Sequence, residues 1–225
     1  LLVAGLMAYI MTRTDFYGVI FHSWMNPISP DLAVLGIDDQ SLPTIISFIT
    51  SSSNTAYYKL IIGLLTGLAI LYYIFRSGTF VKNMDNVVGG FIVGSVVALA
   101  WYLTGSSLGE EWIETNNFLD SPLPGVGVQS FTFINPMGES IIYLSQSANM
   151  YYLTFGVTAL LSVILGSFVY SIMSKNFRIE WFQSKEDLKR HIIGAVLIGI
   201  GGVLSLGCTI GQGVSGVSTL ALGSF

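Results

Sequence analysis

The chain has 225 residues, of which 52% are hydrophobic and only 10% charged, with a formal net charge of −4. Soluble globular domains carry roughly 25% charged residues, so a shortfall this large excludes a water-soluble fold and points to a membrane. The acidic balance excludes nucleic-acid binding, which needs a basic stripe, and the single cysteine, Cys208, excludes an internal disulfide.

A bilayer core needs about 20 apolar residues per helix. In chain order, Leu1 to Met11 reads as the tail of a span, and Tyr57 to Phe75, Val87 to Leu103 and Tyr151 to Met173 read as full spans. Residues 191–206 form a further span that leads into a broken-helix region, 207–225. The expectation is one transmembrane domain over 1–225, an all-α multi-span bundle with broken or re-entrant helices. The chain opens in Leu1-Leu2-Val3 and closes in Leu222-Gly223-Ser224-Phe225, both inside apolar runs and without a signal-peptide pattern. That is the pattern expected of a portion of a longer protein.

Charge orients the spans. The loops Arg76 to Asn86 and Ser174 to Arg190 hold seven of the nine basic residues: Arg76, Lys82, Lys175, Arg178, Lys185, Lys189 and Arg190. The positive-inside rule assigns both loops to the cytoplasm. The opposite loops carry Asp15, Asp31, Asp38, Asp39, Glu110, Glu111, Glu114, Asp120 and Glu139 against Arg13, with Lys59 just inside the next span. Tyr57, Tyr58, Trp101, Tyr102, Tyr151 and Tyr152 sit where outer interface belts belong.

Several segments have bland readings. Gly63 to Gly67 and Gly90 to Gly94 are small-xxx-small patterns suited to helix packing. Trp181 to Leu188 reads as a short interfacial helix capped by Ser184. Gly125 to Asn149 mixes apolar residues with Pro and Gly, as either an outer lid or a partly inserted segment. His22 and His191 lie far apart without acidic or cysteine partners at ligand spacing, so no metal site and no cofactor are expected.

The informative stretch is Gly207-Cys208-Thr209-Ile210-Gly211-Gln212-Gly213-Val214-Ser215-Gly216-Val217-Ser218. Glycine at this density disfavours a regular helix by about 1 kcal/mol per residue relative to Ala, and polar Thr, Gln and Ser are costly against lipid. Broken helices at membrane depth line protein or a watery cavity, and their N-termini present free N–H groups to an anion. Cys208 offers a soft sulfur, while Thr209, Gln212, Ser215 and the amides around Gly207, Gly211 and Gly213 offer donors. The plainer roles are a small buried hydrophobe for Cys208 and close packing for the glycines. Gly211-x-Gly213-x-x-Gly216 has the spacing of a dinucleotide fingerprint but lacks the preceding strand and the later acidic residue.

Residues 201–225, Gly-Gly-Val-Leu-Ser-Leu-Gly-Cys-Thr-Ile-Gly-Gln-Gly-Val-Ser-Gly-Val-Ser-Thr-Leu-Ala-Leu-Gly-Ser-Phe, resemble the cysteine signature of the YeeE/YedE family of sulfur transporters. Phe177-Arg-Ile-Glu-Trp-Phe, Asp187-Leu-Lys-Arg-His191, Ser130-Phe-Thr-Phe-Ile-Asn-Pro-Met-Gly and Ala100-Trp-Tyr-Leu-Thr-Gly105 extend the resemblance over roughly Tyr57 to Phe225. It implies an inverted-repeat, pseudo-symmetric bundle in a bacterial inner membrane, with broken helices meeting near the midplane. The implied activity is import of thiosulfate or a related sulfur anion, without catalysis. Several cysteines mark the substrate path in such proteins, and here only Cys208 matches. That departure fits a missing N-terminal half, a partner subunit, or a cytoplasmic sulfur-accepting protein. Two other classes stand beside transport. One is an accessory membrane subunit whose glycines only pack. The other is a persulfide carrier, disfavoured because no Lys, Arg or His lies close to Cys208 in sequence.

Overall fold

Backbone amides in lipid have no water to bond, so a chain this apolar must satisfy them within helices. The computed structural model describes residues 1–28, 37, 39–50, 54–123 and 125–225. Asp31 and Asp38 of the acidic loop lie outside the described residues. Among the described residues there is no strand, only an isolated antiparallel bridge between Ser41 and Ala221. The protein is an all-α membrane protein.

The principal helices are α1 (Leu2–Arg13), α2 (Leu42–Ile49), α3 (Thr55–Arg76), α4 (Met84–Gly105) and α5 (Ser107–Asn117). They are followed by α6 (Ile134–Ser145), α7 (Phe155–Met173), α8 (Lys185–Leu204) and α9 (209–218), whose middle, Gly211–Gly216, is a π-helix. Three of these, α3, α4 and α7, are long and apolar enough to cross a bilayer. Side-chain caps open several of them, as polar residues ahead of apolar runs should. The Asn54 side chain accepts from Tyr57 N–H, Asn83 from Asp85 N–H, Thr154 from Val157 N–H and Ser184 from Asp187 N–H.

The core is built by small residues rather than large ones. Helix α1 packs against both α6 and α8. A Cβ added at Gly5 would stand 2.9 Å from the Met137 carbonyl oxygen, one at Gly138 3.2 Å from Tyr9 N, and one at Gly199 2.8 Å from the Ala4 carbonyl oxygen. These are backbone-to-backbone approaches, which small residues make possible between membrane helices. Around them Ala4, Ala8, Met11, Ile134, Val157 and Leu160 are buried.

Four sequence expectations change. Among the described residues, Gly67 and Gly94 meet nothing within 4 Å, and Gly63 and Gly90 meet only the side-chain tips of Leu220 and Phe80. Their glycine faces are thus open, not seams between helices of this chain. Ser184 does cap a helix, but that helix is α8 itself, because nothing in Lys185–Leu188 interrupts the run into the apolar stretch. The 3₁₀ turn Met150–Tyr152 lies ahead of α7, so Tyr151 and Tyr152 precede that span. Finally, Asp187 does approach the ring of His191, at 3.3 Å one helical turn away.

Residues 125–149 contain α6, packed on α1 and α7 with Ile134, Pro136 and Gly138 buried. Its 12 residues span about 18 Å, well short of a bilayer core of about 30 Å. It is therefore too short to cross a bilayer by itself. The α1–α6 crossing predicts a clean contrast between two glycines. Gly5→Ala should cost about 1–3 kcal/mol through overpacking, whereas Gly94→Ala, facing open space, should leave stability unchanged. Thermal unfolding of the detergent-solubilised protein measures both, and equal losses at the two positions would contradict the packing described.

Candidate functional site

Helix α8 ends abruptly at Leu204, and the backbone reverses through Ser205 and Leu206. Leu206 takes φ +57, and Gly207 N–H bonds to the Gly202 carbonyl at 2.9 Å. This is the six-to-one closure of a Schellman turn, with leucine in the left-handed position that glycine usually fills. Gly207 is buried, Cys208 follows as the residue ahead of α9, and the new helix starts at Thr209.

A second irregular stretch, residues 129–133, leads into α6 and lies against this break. Ser215 Oγ donates to the Phe131 carbonyl at 2.7 Å. A Cβ at Gly211 would stand 2.6 Å from Thr132 Oγ1. Phe133, the residue ahead of α6, lines a cavity of about 330 Å³ together with Cys208, Thr209 and Ile210. Leu160, Val163 and Ile164 of α7, Met137 of α6 and Leu1 complete its walls. The starts of two helices, α6 and α9, thus converge on one cysteine. Each brings the positive end of its dipole.

Donors surround the sulfur. Gly211 N–H points at Cys208 Sγ at 3.4 Å, and the amides of Ile210 and Phe133 and the Thr132 hydroxyl also interact with it. Cys208 lines the cavity with these donors beside it. The walls there are almost entirely apolar. Such a chamber suits a weakly hydrated, polarizable atom better than a strongly hydrated oxygen.

The expected site residues divide into two groups. Cys208 and Thr209 face the cavity, with Gly211 close behind them. Gln212 and Ser215 spend their side chains on the protein. Gln212 Nε2 donates to the Ser205 carbonyl at 2.8 Å, and its Oε1 accepts from Ser224 Oγ at 2.5 Å. One side chain thereby clasps the turn before Cys208 to the segment Leu222–Ser224. Gly207 lies under that clasp, 3.2 Å from Gln212 Cγ measured from an added Cβ, while Gly213 has no neighbour closer than 4.0 Å.

Sequence reasoning missed Thr132, Phe133 and the α7 wall. A signal for the first two was present, because Pro136 sits in the first turn of α6, where a missing N–H costs nothing. The α7 residues carried no such signal, since Leu, Val and Ile at helical spacing are common to every span.

A family model described as sulphur transport matches residues 1–225. The chain belongs to the sulphur-transport family. It is also similar to the thiosulfate transporter TsuA of Escherichia coli K12, with 27% identity over 135 residues, 60% of this chain and 33% of that protein. The chain thus matches about a third of the curated relative's length. No solved structure matches it.

The tight seat of Gly211 gives this family member a local test. Gly211→Ala forces Thr132 away and should lower stability by about 1–3 kcal/mol, whereas Gly213→Ala meets no neighbour and should be neutral within about 0.5 kcal/mol. Thermal unfolding in detergent separates them, and a neutral Gly211→Ala would mean that the two breaks are not in contact.

Proposed function

We propose that the protein imports thiosulfate, or a small anion with the same exposed sulfur, across a bacterial inner membrane, and that Cys208 contacts the substrate's terminal sulfur. The observation that carries this reading is the thiol held between two helix starts and facing an apolar chamber. A terminal sulfur is soft and weakly hydrated, so it gains by entering such a chamber beside a polarizable thiol. The oxyanion end is strongly hydrated and stays with the Thr209 hydroxyl and first-turn amides, where helix dipoles favour negative charge. Gln212 and Ser215 act as positioning residues, which hold the break that presents Cys208. Gly207 and Gly211 make room for Gln212 and Thr132, which hold the backbone that carries Cys208.

The reading involves no chemical conversion and no cofactor. The basic loops at 76–86 and 174–190 face the cytoplasm on the positive-inside argument, which orients the chain in the membrane. The remaining length of the relative suggests that further chain, or a second subunit, supplies the rest of the pathway. A cytoplasmic sulfur-accepting protein is a natural recipient.

Two measurements test this. Impermeant thiol labelling of Lys82→Cys and Lys185→Cys in spheroplasts should fail until the membrane is permeabilised, and labelling of intact spheroplasts would reverse the orientation. Cys208→Ser should leave the folded yield near normal and reduce thiosulfate uptake per folded molecule by about tenfold or more, with Cys208→Ala at least as severe. A packing role would instead show as a stability loss of about 1–3 kcal/mol through a buried hydroxyl with uptake per folded molecule unchanged.

A further inference from the structure

Outside the Cys208 chamber, a cavity of about 410 Å³ runs along one face of α3. Lys59, Gly63, Thr66, Gly67 and Ile70 form one wall, and the end of α9 with the turn after it, residues 217–220, forms the other. The spacing of the α3 residues keeps them on a single helical stripe, and the glycines leave the space open, since Gly67 has no neighbour within 4 Å. The stripe extends over 11 residue steps, about 16 Å along the axis.

Lys59 stands at the outer end of this groove. Among α3, α4 and α7 the basic residues are Lys59 and Arg76, and Arg76 closes α3 at its cytoplasmic end. An ionisable residue inside a spanning helix is costly and is usually retained for function. Its Nζ lies 3.3 Å from Asp39 Oδ2, with both side chains about half exposed. Asp39 Oδ1 accepts from Ser41 N–H at 2.8 Å. Burial pushes the Asp39 carboxyl up, but hydrogen bonds from the Ser41 hydroxyl and amide, the Thr44 hydroxyl and Lys59 outweigh it and lower it to about 2. Asp39 therefore stays ionised well into the acid range. Its stabilising effect is in place above the ordinary carboxylate value of 3.8 and is lost as pH falls through about 2.

The pair is tied to the broken helix. Leu42 N–H bonds to the Leu220 carbonyl and Leu222 N–H to the Gln40 carbonyl, each at 2.9 Å, on either side of the Ser41–Ala221 bridge. Asp39 is thus carried on the same backbone pairing that holds the segment after α9, the helix that Cys208 precedes. A half-exposed ion pair contributes little to stability, yet this cation stands at the mouth of a groove on an otherwise acidic face.

We propose that Lys59 is an anion-recognition residue at the outer mouth of this groove, and that Asp39 occupies it until a small oxyanion takes the carboxylate's place. This rests on the transport reading above for the identity of the anion, though not for the presence of the binding site. Electrostatic competition fixes the signs. Removing the cation weakens anion capture, while neutralising Asp39 frees the cation and strengthens it. A purely structural pair predicts the same direction of change for both.

The test uses the full chain in proteoliposomes with radiolabelled thiosulfate. Lys59→Gln should raise the half-saturation concentration about tenfold with the maximal rate per folded molecule within about twofold, Lys59→Arg should restore it, and Asp39→Asn should lower it severalfold. A half-saturation concentration unchanged in Lys59→Gln, or raised alike in Lys59→Gln and Asp39→Asn, overturns the proposal while leaving transport intact. If the parent protein takes up no thiosulfate, the transport reading fails and the site is still tested by thermal shift in detergent with added thiosulfate or sulfate. Stabilisation of the parent that vanishes in Lys59→Gln supports the site, and its absence in the parent overturns it. Stabilisation by phosphatidylglycerol but by neither free anion would assign Lys59 to lipid and overturn it equally.

Discussion

The structure depends on one contact, the seating of residues 129–133 against the break before α9 and the π-helical turn that follows it, residues 205–215. Two chain segments without regular helix must lie side by side, so that their polar groups answer one another and not lipid. Ser215 satisfies one such group, the Phe131 carbonyl, and the missing side chain at Gly211 lets Thr132 come close. Everything that characterises the site follows from this seating. It aims the starts of α6 and α9 at Cys208, and it opens the chamber against α7.

Glycine has two uses in this chain, and they differ in consequence. At Gly5, Gly138 and Gly199 it allows backbones to approach, and these positions hold α1 against α6 and α8. At Gly67 and Gly94 it leaves surface empty. Along α3 that emptiness forms part of a groove whose other wall is the end of the broken helix. The same residue type thus closes the core and opens a passage, and only the neighbours decide which.

Much of this was legible in the sequence. The long helices follow from apolar length, with expected ends within a few residues of the observed ones. The break at Cys208 was legible because dense glycine and polar side chains at membrane depth are stable where a helix breaks against protein or a watery cavity, and not against lipid. Less legible were the side-chain directions. Gln212 and Ser215 have the donors an anion wants, yet the protein uses them to hold its own backbone, and no spacing rule distinguishes those uses. Partner segments far away in sequence were hidden for a similar reason, since the match of 129–133 to 205–215 is made by tertiary packing alone. The open faces at Gly67 and Gly94 were misjudged because a small-xxx-small pattern records the possibility of close approach and not its partner.

The central claim, that the Cys208 thiol faces a chamber selective for a sulfur-bearing anion, is tested most directly by substrate protection. The full chain in detergent is alkylated at its cysteine by a small maleimide, and the rate is followed by mass spectrometry with increasing thiosulfate or, separately, sulfate. Thiosulfate should slow modification of Cys208 in a saturable way, with sulfate at equal concentration and ionic strength several times less effective. Equal rates in thiosulfate, sulfate and chloride would contradict the account.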